Sequence, residues 1–489
     1  MQEITANPDR PPNQEKATGF AVLLLCAYMF MLYSRAFEAT MLIGLPNIYL
    51  MLVLSTISLL AVIFKGGIAR GFKTPSGMLL LLFTVWACFI LPFSDWKSES
   101  LHQLTSVWLK SLAAFFIIVG LTTTFAVSKR VFAAVGYGAA VSAILLALTN
   151  RYYGGRATSL GSLANANEVA FHIALGLPFL VLLILRVKFI CKIPLAVVTL
   201  LSLALSVKTA SRGGLIITAA IVAVAVLKVS FANKLKIVVV SAVGLVIALF
   251  AADKDQLERY ATMFDSSSTT MGALSAKESA ESRKHKLEQS IELTMQHPVM
   301  GVGMGGFISA AADMSQRKGE HQDWLASHNS YTQISSETGV IGFLIIGAVF
   351  VITLRALLKL HRTARRLNLK EVRNMALCLL LSSVALSIHF FFDAIPYDFY
   401  LPMVAGLATA LVCTAKPLIA EAEAALKRSD SASEAPLRQI NRPTSIAVSF
   451  SVPTAGSTDP SSTPASKPSQ GKPSLNPYKL GRRRAPNPK

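Results

Sequence analysis

Residues 328–354 read HNSYTQISSETGVIGFLIIGAVFVITL, a polar mouth that passes into an apolar run. Between Val340 and Leu354 only Gly and Thr interrupt the apolar side chains. A transmembrane helix needs about 20 mostly apolar residues, so this stretch is read as the outer end of a membrane span. His328 and Glu337 stand at its mouth, and Gly339 and Gly342 are small enough to let helices approach. A histidine and a carboxylate at a membrane surface point to chemistry rather than simple anchoring.

The same kind of block recurs along the chain. Hydrophobic residues make up 53% of the 489 and charged residues only 15%, and the mean hydropathy is +0.51. The apolar residues arrive in long runs rather than in period-2 or period-3.6 stripes, which excludes a soluble domain. Spans are expected near 18–34, 40–64, 75–94, 107–127, 130–149, 167–186, 189–207, 212–230, 236–252, 337–359, 373–393 and 397–415. The predicted fold class is therefore all-α and polytopic, with about twelve transmembrane helices. The first run is too long and too poorly flanked for a cleaved signal peptide.

Charge orients the bundle. With the N-terminus inside, the inner connections hold Lys65, Arg70, Lys73, Lys129, Arg130, Arg186, Lys188, Lys192, Lys228, Lys234, Lys236 and seven Lys/Arg from Arg355 to Arg373, 18 in all. The short outer connections hold six: Arg35, Lys97, Arg151, Arg156, Lys208 and Arg212. This asymmetry follows the positive-inside rule with both termini cytoplasmic. The net charge of +20 is thus mostly topological, and its spread over loops and a tail excludes a nucleic-acid face. The five cysteines lie in or at the edge of spans, so neither a disulfide framework nor a Cys-type zinc site is expected.

The expected organisation is a cytoplasmic N-terminus (1–17), nine helices (18–252), a large polar outer loop (253–336), three helices (337–415) and a tail (416–489). The tail carries ten prolines from Pro436 onward and closes on Arg482-Arg483-Arg484. It lacks the apolar content to bury a core and reads as disordered and solvated. In the outer loop, residues 278–296 read as a helix, because Leu287, Ile291 and Met295 recur at i, i+4, i+8 among charged neighbours. His297-Pro298 ends it, and Gly301, Gly303, Gly305 and Gly306 follow in a turn whose backbone is able to approach a ligand closely.

The order of these motifs resembles a known family. Gly155-Arg156, Gly161 and Asn167 come first, then Ser211-Arg212-Gly213, then Ser282-Arg283. His297-Pro298-x-x-Gly301-x-Gly303-x-Gly-Gly-Phe307 follows, then His328-Asn329-x-Tyr331 and Glu337-x-Gly339-x-x-Gly342. The chain is similar in this to the O-antigen ligase and polymerase superfamily over about residues 20–415. It departs from the family pattern at Asn165-Ala166-Asn167, where Asp-Pro-Asn is common, and at Lys286 and Leu287, where an aromatic is common.

The resemblance implies a GT-C-like glycosyltransferase of the bacterial inner membrane with its large loop in the periplasm. It implies a glycan donor carried on undecaprenyl diphosphate, an acceptor hydroxyl on lipid A-core or on another glycan, and membrane lipids as surroundings. Arg212 and Arg283 match the family's catalytic arginines. A guanidinium is always charged and presents a planar fork of donors, which suits a diphosphate leaving group. Arg156 is a third contact under this reading. His328 matches the family's catalytic histidine and supplies a base for the acceptor hydroxyl. Glu337 orients or tunes it, and Asn167, Asn329, Tyr331, Gly301 and Gly303 bind substrate. No Asp-rich metal motif stands in the outer segments, so the arginines take the place of a divalent ion and no cofactor is expected. His172 and His389 lie inside spans and are read as hydrogen-bonded bundle residues.

Three functions fit this pattern: a ligase that joins a finished polymer to lipid A-core, a polymerase of lipid-linked repeat units, and a transporter with no covalent step. A transporter would show broken helices and intramembrane charge at the midplane. Here the unusual polar residues cluster at the outer surface, which favours an enzyme.

Overall fold

Apolar runs in lipid have no water to bond their backbone, so they close every N–H and C=O within a helix. The structure is a computed structural model that describes residues 12–38, 49–149, 151–153, 156–158, 165–229, 231–262, 271–322 and 324–440. Gly155, Gly161, the 263–270 part of the outer loop and the tail from 441, with Arg482-Arg483-Arg484, lie outside the described residues.

Helices α1 (Pro12–Ser34), α2 (Leu50–Phe64), α3 (Gly67–Phe72) and α4 (Pro75–Ile90) open the chain. Helix α5 (Lys97–His102) continues through a π-helical turn, Gln103–Trp108, into α6 (Leu109–Leu121), and α7 (Phe125–Thr149) follows. A short antiparallel hairpin, β1 (Arg151–Tyr153) and β2 (Arg156–Thr158), sets Tyr152 opposite Ala157. Next come α8 (Ala166–Arg186), α9 (Phe189–Lys208), α10 (Arg212–Lys228) and α11 (Phe231–Ala251). The long polar loop folds as α12 (Lys254–Ala261), α13 (Met271–Gln296) and α14 (Phe307–Arg317). The chain then forms α15 (Ser330–Arg366), α16 (Lys370–His389) and α17 (Tyr400–Ile440).

Among the described residues, eight helical runs are long and apolar enough to cross a membrane: α4 with the helical turn that extends it to Phe93, α5–α6, α7, α8, α9, α15, α16 and α17. Shorter apolar helices cover Gly19–Ser34, Leu50–Phe64 and Ile237–Val246. The all-helical polytopic class therefore stands. The other four of the twelve runs read by hydropathy correspond to these three shorter apolar stretches, the second of which is preceded by residues 39–48 outside the described ones, and to α10 with 17 residues.

Residues 1–429 form one unit, which carries the core and the site described below, and 430–489 form a second. The tail expected to be disordered from 416 begins as helix instead, since α17 runs on to Ile440. Its sequence from Ala420 to Arg428, AEAEAALKR, is built from strong helix formers. Arg366 also ties it to α15 through an ion pair with Glu423 at 2.6 Å.

The core lies where α8, α15 and α16 pass through the bundle, with Phe115, Phe132, Phe171, Phe179 and Leu357 fully buried. Several polar groups inside are paired, which offsets the cost of burying them in an apolar medium. Tyr33 donates to the His172 carbonyl at 2.7 Å, and Trp108 Nε1 donates to Thr84 Oγ1 at 2.9 Å.

Helix α15 is broken near its start. Gly339 has φ 68° and ψ 179°, so a short helix precedes the long apolar one. Only glycine fits there, because a Cβ would overlap the Val299 carbonyl oxygen. The groups freed by the break are satisfied from outside the helix. Val340 N–H donates to the Pro298 carbonyl at 2.9 Å, and Trp86 Nε1 donates to the Thr338 carbonyl at 2.8 Å.

Candidate functional site

One end of the bundle gathers the starts of α8, α10 and α15, the end of α16 and the loop helices α12 and α13. Helix α10 begins in a turn where Ala210 adopts a left-handed φ of 47°. Ser211 caps the helix, accepting the Gly214 N–H at 3.1 Å, and donates to Asn167 Oδ1 at 2.9 Å. Arg156 Nη2 donates to the same oxygen at 2.8 Å, and its Nε donates to the Thr209 carbonyl at 2.9 Å. Arg156 and Asn167 thus brace the turn from which Arg212 extends. Gly213 leaves room for Phe392, whose ring a Cβ would meet at 3.1 Å.

Helix α13 carries Arg283 and, one turn on, a buried lysine. Lys286 is 1% exposed, its Nζ donates to Gln289 Oε1 at 3.1 Å, and Gln289 Nε2 donates to Ser315 Oγ at 2.8 Å. The second of these bonds anchors α13 to α14, while the neighbouring Lys284 faces solvent with its side chain 77% exposed.

His328 enters α15 with a left-handed φ of 53°. Asn329 caps the helix, its Oδ1 accepting the N–H groups of Tyr331 at 3.0 Å and Thr332 at 3.2 Å. Ser330 then fastens this corner to residues 390–395. Its N–H donates to the Phe390 carbonyl at 2.8 Å, its Oγ donates to the Asp393 carbonyl at 2.7 Å, and Ile395 N–H donates to that Oγ at 3.0 Å. Tyr331 packs against Phe390 and Phe391 and donates to the Ser387 carbonyl at 3.0 Å. Asn329 and Tyr331, expected to bind substrate, are occupied in capping and packing.

The glycine-rich turn and Glu337 belong together, away from the expected ligand role. Glu337 is fully buried and accepts from Gly305 N–H at 2.8 Å, Phe307 N–H at 3.4 Å, Gln333 Nε2 at 3.0 Å and Tyr397 OH at 2.7 Å. Val302 and Gly303 N–H donate to the Ser336 and Glu337 carbonyls, each at 2.9 Å. A side chain on Gly301 would run into the Glu337 backbone, and one on Gly303 into Ser94. At both glycines the turn lies directly against protein. The pairing of Glu337 with His328 is corrected in the same way, since all four bonds to that carboxylate come from other groups.

Charge converges on Arg283. Arg156, Arg212, Arg259 and Arg283 all lie within electrostatic reach of one another. Arg156 is pushed down to about 10 by burial first and then by Arg259 and Arg283. Burial, followed by the charges of Arg283 and Lys286, lowers His328 to about 4, so its imidazole is neutral at pH 7. Burial raises Asp393 to about 6, against the Ala394 N–H and Arg283, which favour its charged form.

Three buried atoms around Arg283 have no hydrogen-bond partner among the described residues: His328 Nδ1, His389 Nε2 and Asp393 Oδ2. The last two are 3.6 Å apart. His389 stacks on Phe171 with centroids 3.9 Å apart and planes at 5°, so it is not the hydrogen-bonded bundle residue expected. His172 is, between Ser142 Oγ at 3.0 Å and Tyr400 OH at 3.1 Å. Buried polar atoms are nearly always paired, so a group of unpaired ones in one place calls for an explanation. Among the described residues no group of three or more His, Cys, Asp or Glu is arranged to hold a metal ion.

Sequence reasoning brought Arg212, Arg283 and His328 to this site and missed Arg259 and Asp393. Asp393 had a signal, a carboxylate between two apolar blocks in FFFDAIP, which is a functional-site pattern in a membrane chain. Arg259 had none, being one charge among several in DKDQLERY.

Residues 196–347 match the family model described as O-antigen ligase, which supports membership of the O-antigen ligase family. The matched segment contains Arg212, Arg259, Arg283, the glycine-rich turn, His328 and Glu337; Arg156, Asn167, His389 and Asp393 lie outside it. No curated protein matches the chain.

Proposed function

We propose that this chain is an inner-membrane glycosyltransferase that moves a glycan from undecaprenyl diphosphate to an acceptor hydroxyl, as an O-antigen ligase acting on lipid A-core. The observation that carries this reading is the cluster of four arginines beside a histidine held neutral. A diphosphate is the anion that such a cluster fits, and the cluster supplies what its departure demands, positive charge near the leaving oxygen.

In the proposed reaction Arg212 and Arg283 hold the two phosphates. His328 takes the proton of the acceptor hydroxyl as that oxygen attacks the anomeric carbon from the face opposite the diphosphate. The carbon–oxygen bond to the lipid diphosphate breaks, its electron pair leaves with the diphosphate, and the anomeric centre inverts. Asp393 Oδ2 offers a second acceptor for a sugar hydroxyl. The arginines carry the charge that a divalent ion carries in many glycosyl transfers, so the reading is metal-independent. The loop 253–336 faces the periplasm in this scheme, in line with the basic inner connections.

The test is reconstitution of the purified protein in proteoliposomes with a glycan on undecaprenyl diphosphate and lipid A-core as acceptor. The expected products are glycosylated lipid A-core and free undecaprenyl diphosphate. Longer glycans still on the lipid diphosphate would identify a polymerase. Absence of both products, with both substrates bound, would overturn glycosyl transfer.

A further inference from the structure

Helix α12 is placed with care. Asp253 and Gln256 form a reciprocal cap at its start. Tyr260 OH donates to the Val207 carbonyl at 3.0 Å, which pins the helix to the end of α9 just before the turn that presents Arg212. The other side of α12 packs on α13, the helix of Arg283. Arg259, next to Tyr260, is only 7% exposed and lies within electrostatic reach of both Arg212 and Arg283.

Burying a fourth guanidinium among three others is unfavourable by itself. Burial comes first and the like charges of Arg212 and Arg283 second in lowering the proton affinity of Arg259. Like charges at short range raise the energy of a site until an anion enters it. Two arginines offer a fork each, enough for one phosphate from two sides. A diphosphate carries more charge and more acceptor oxygens than that pair satisfies. The fourth guanidinium makes sense as part of the same anion site.

We propose that Arg259 is a further substrate-binding residue, which contacts the diphosphate of the lipid donor and sets the preference for a diphosphate over a monophosphate. This rests on the glycosyl-transfer reading above. It makes α12 part of the site, although nothing in its sequence marks it.

The test uses the full-length protein in nanodiscs and two probes, undecaprenyl diphosphate and undecaprenyl monophosphate, each competing with labelled donor. Wild type should bind the diphosphate more tightly. Arg259→Gln should lose roughly tenfold to a hundredfold in diphosphate affinity, the size of one or two charge-assisted bonds, and little in monophosphate affinity. Arg259→Lys keeps the charge and most of the stem, so it should fold and fall between the two. A merely structural role would lower both affinities together and lower the melting temperature of both variants, which would overturn the proposal. So would an unchanged preference in Arg259→Gln beside a preferring wild type. A wild type without any preference would overturn the diphosphate reading itself, and the role of Arg259 with it.

Discussion

Ser330 Oγ donates to the Asp393 carbonyl at 2.7 Å and accepts the Ile395 N–H at 3.0 Å, so one buried hydroxyl joins the corner of His328 to the loop of Asp393. The two residues whose ring nitrogen and carboxylate oxygen lack partners are thereby held on neighbouring, cross-linked segments. Ser330→Ala removes the link and strands a buried carbonyl and a buried N–H. The expected loss is about 1–3 kcal/mol of stability, read as a lower melting temperature in detergent. Transfer should fall by more than the folded fraction does. An unchanged melting temperature and rate would leave the link without a role.

Arg212 and Arg283 should tolerate lysine poorly. Lysine keeps the charge but loses the planar fork, so Arg→Lys should cost nearly as much transfer as Arg→Ala while protein levels hold. Because guanidinium groups carry the charge in this scheme, wild-type transfer should persist in EDTA. Full activity of both lysine variants would reduce these residues to caps or surface charges. Loss of wild-type activity in EDTA, restored by Mg²⁺, would sink the metal-independent mechanism.

Glu337 should behave as a structural residue. Its carboxylate closes the N–H groups of Gly305 and Phe307 and the Tyr397 hydroxyl, all in the buried layer under the glycine-rich turn. Glu337→Ala leaves these donors unsatisfied, at about 1–3 kcal/mol each. The protein should lose most of its monodisperse peak on size-exclusion chromatography. Glu337→Gln keeps one oxygen acceptor and should recover part of it. A variant that stays fully folded yet loses transfer would return Glu337 to the chemistry.

How much of this was legible follows from the range of each signal. Span positions are local: a run such as Val340–Leu354 declares itself by composition, because lipid selects apolar side chains one residue at a time. The helix of the outer loop and its stop at His297-Pro298 are local as well. The site is assembled from contacts across the chain, and periodicity is silent there. Glu337 and His328 are nine positions apart, with the helix cap at Asn329 between them, and the carboxylate bonds the glycine turn instead. Arg156 and Asn167 were legible as polar residues of interest. Their bonds to Thr209 and Ser211 were not, since a brace and a ligand contact draw on the same residue types.

The last prediction concerns the pH at which His328 works. Burial and the charges of Arg283 and Lys286 lower its pKa to about 4. The lowered value means that the imidazole gives up its proton earlier as pH rises than a free histidine does. A general base acts in the neutral form, so transfer should rise through pH 4 and stay level across 6.5, where an unperturbed histidine would still be titrating. Removing one neighbouring cation should move the rise upward, and Lys286→Met tests this without touching the ring. Asp393, raised to about 6, is the competing base. A rise centred near 6 that disappears in Asp393→Asn would assign the base to the aspartate. His328→Ala should lose on the order of 10²–10⁴ in rate while still binding undecaprenyl diphosphate, because the diphosphate belongs to the arginines. Normal transfer by His328→Ala would remove the histidine from the reaction.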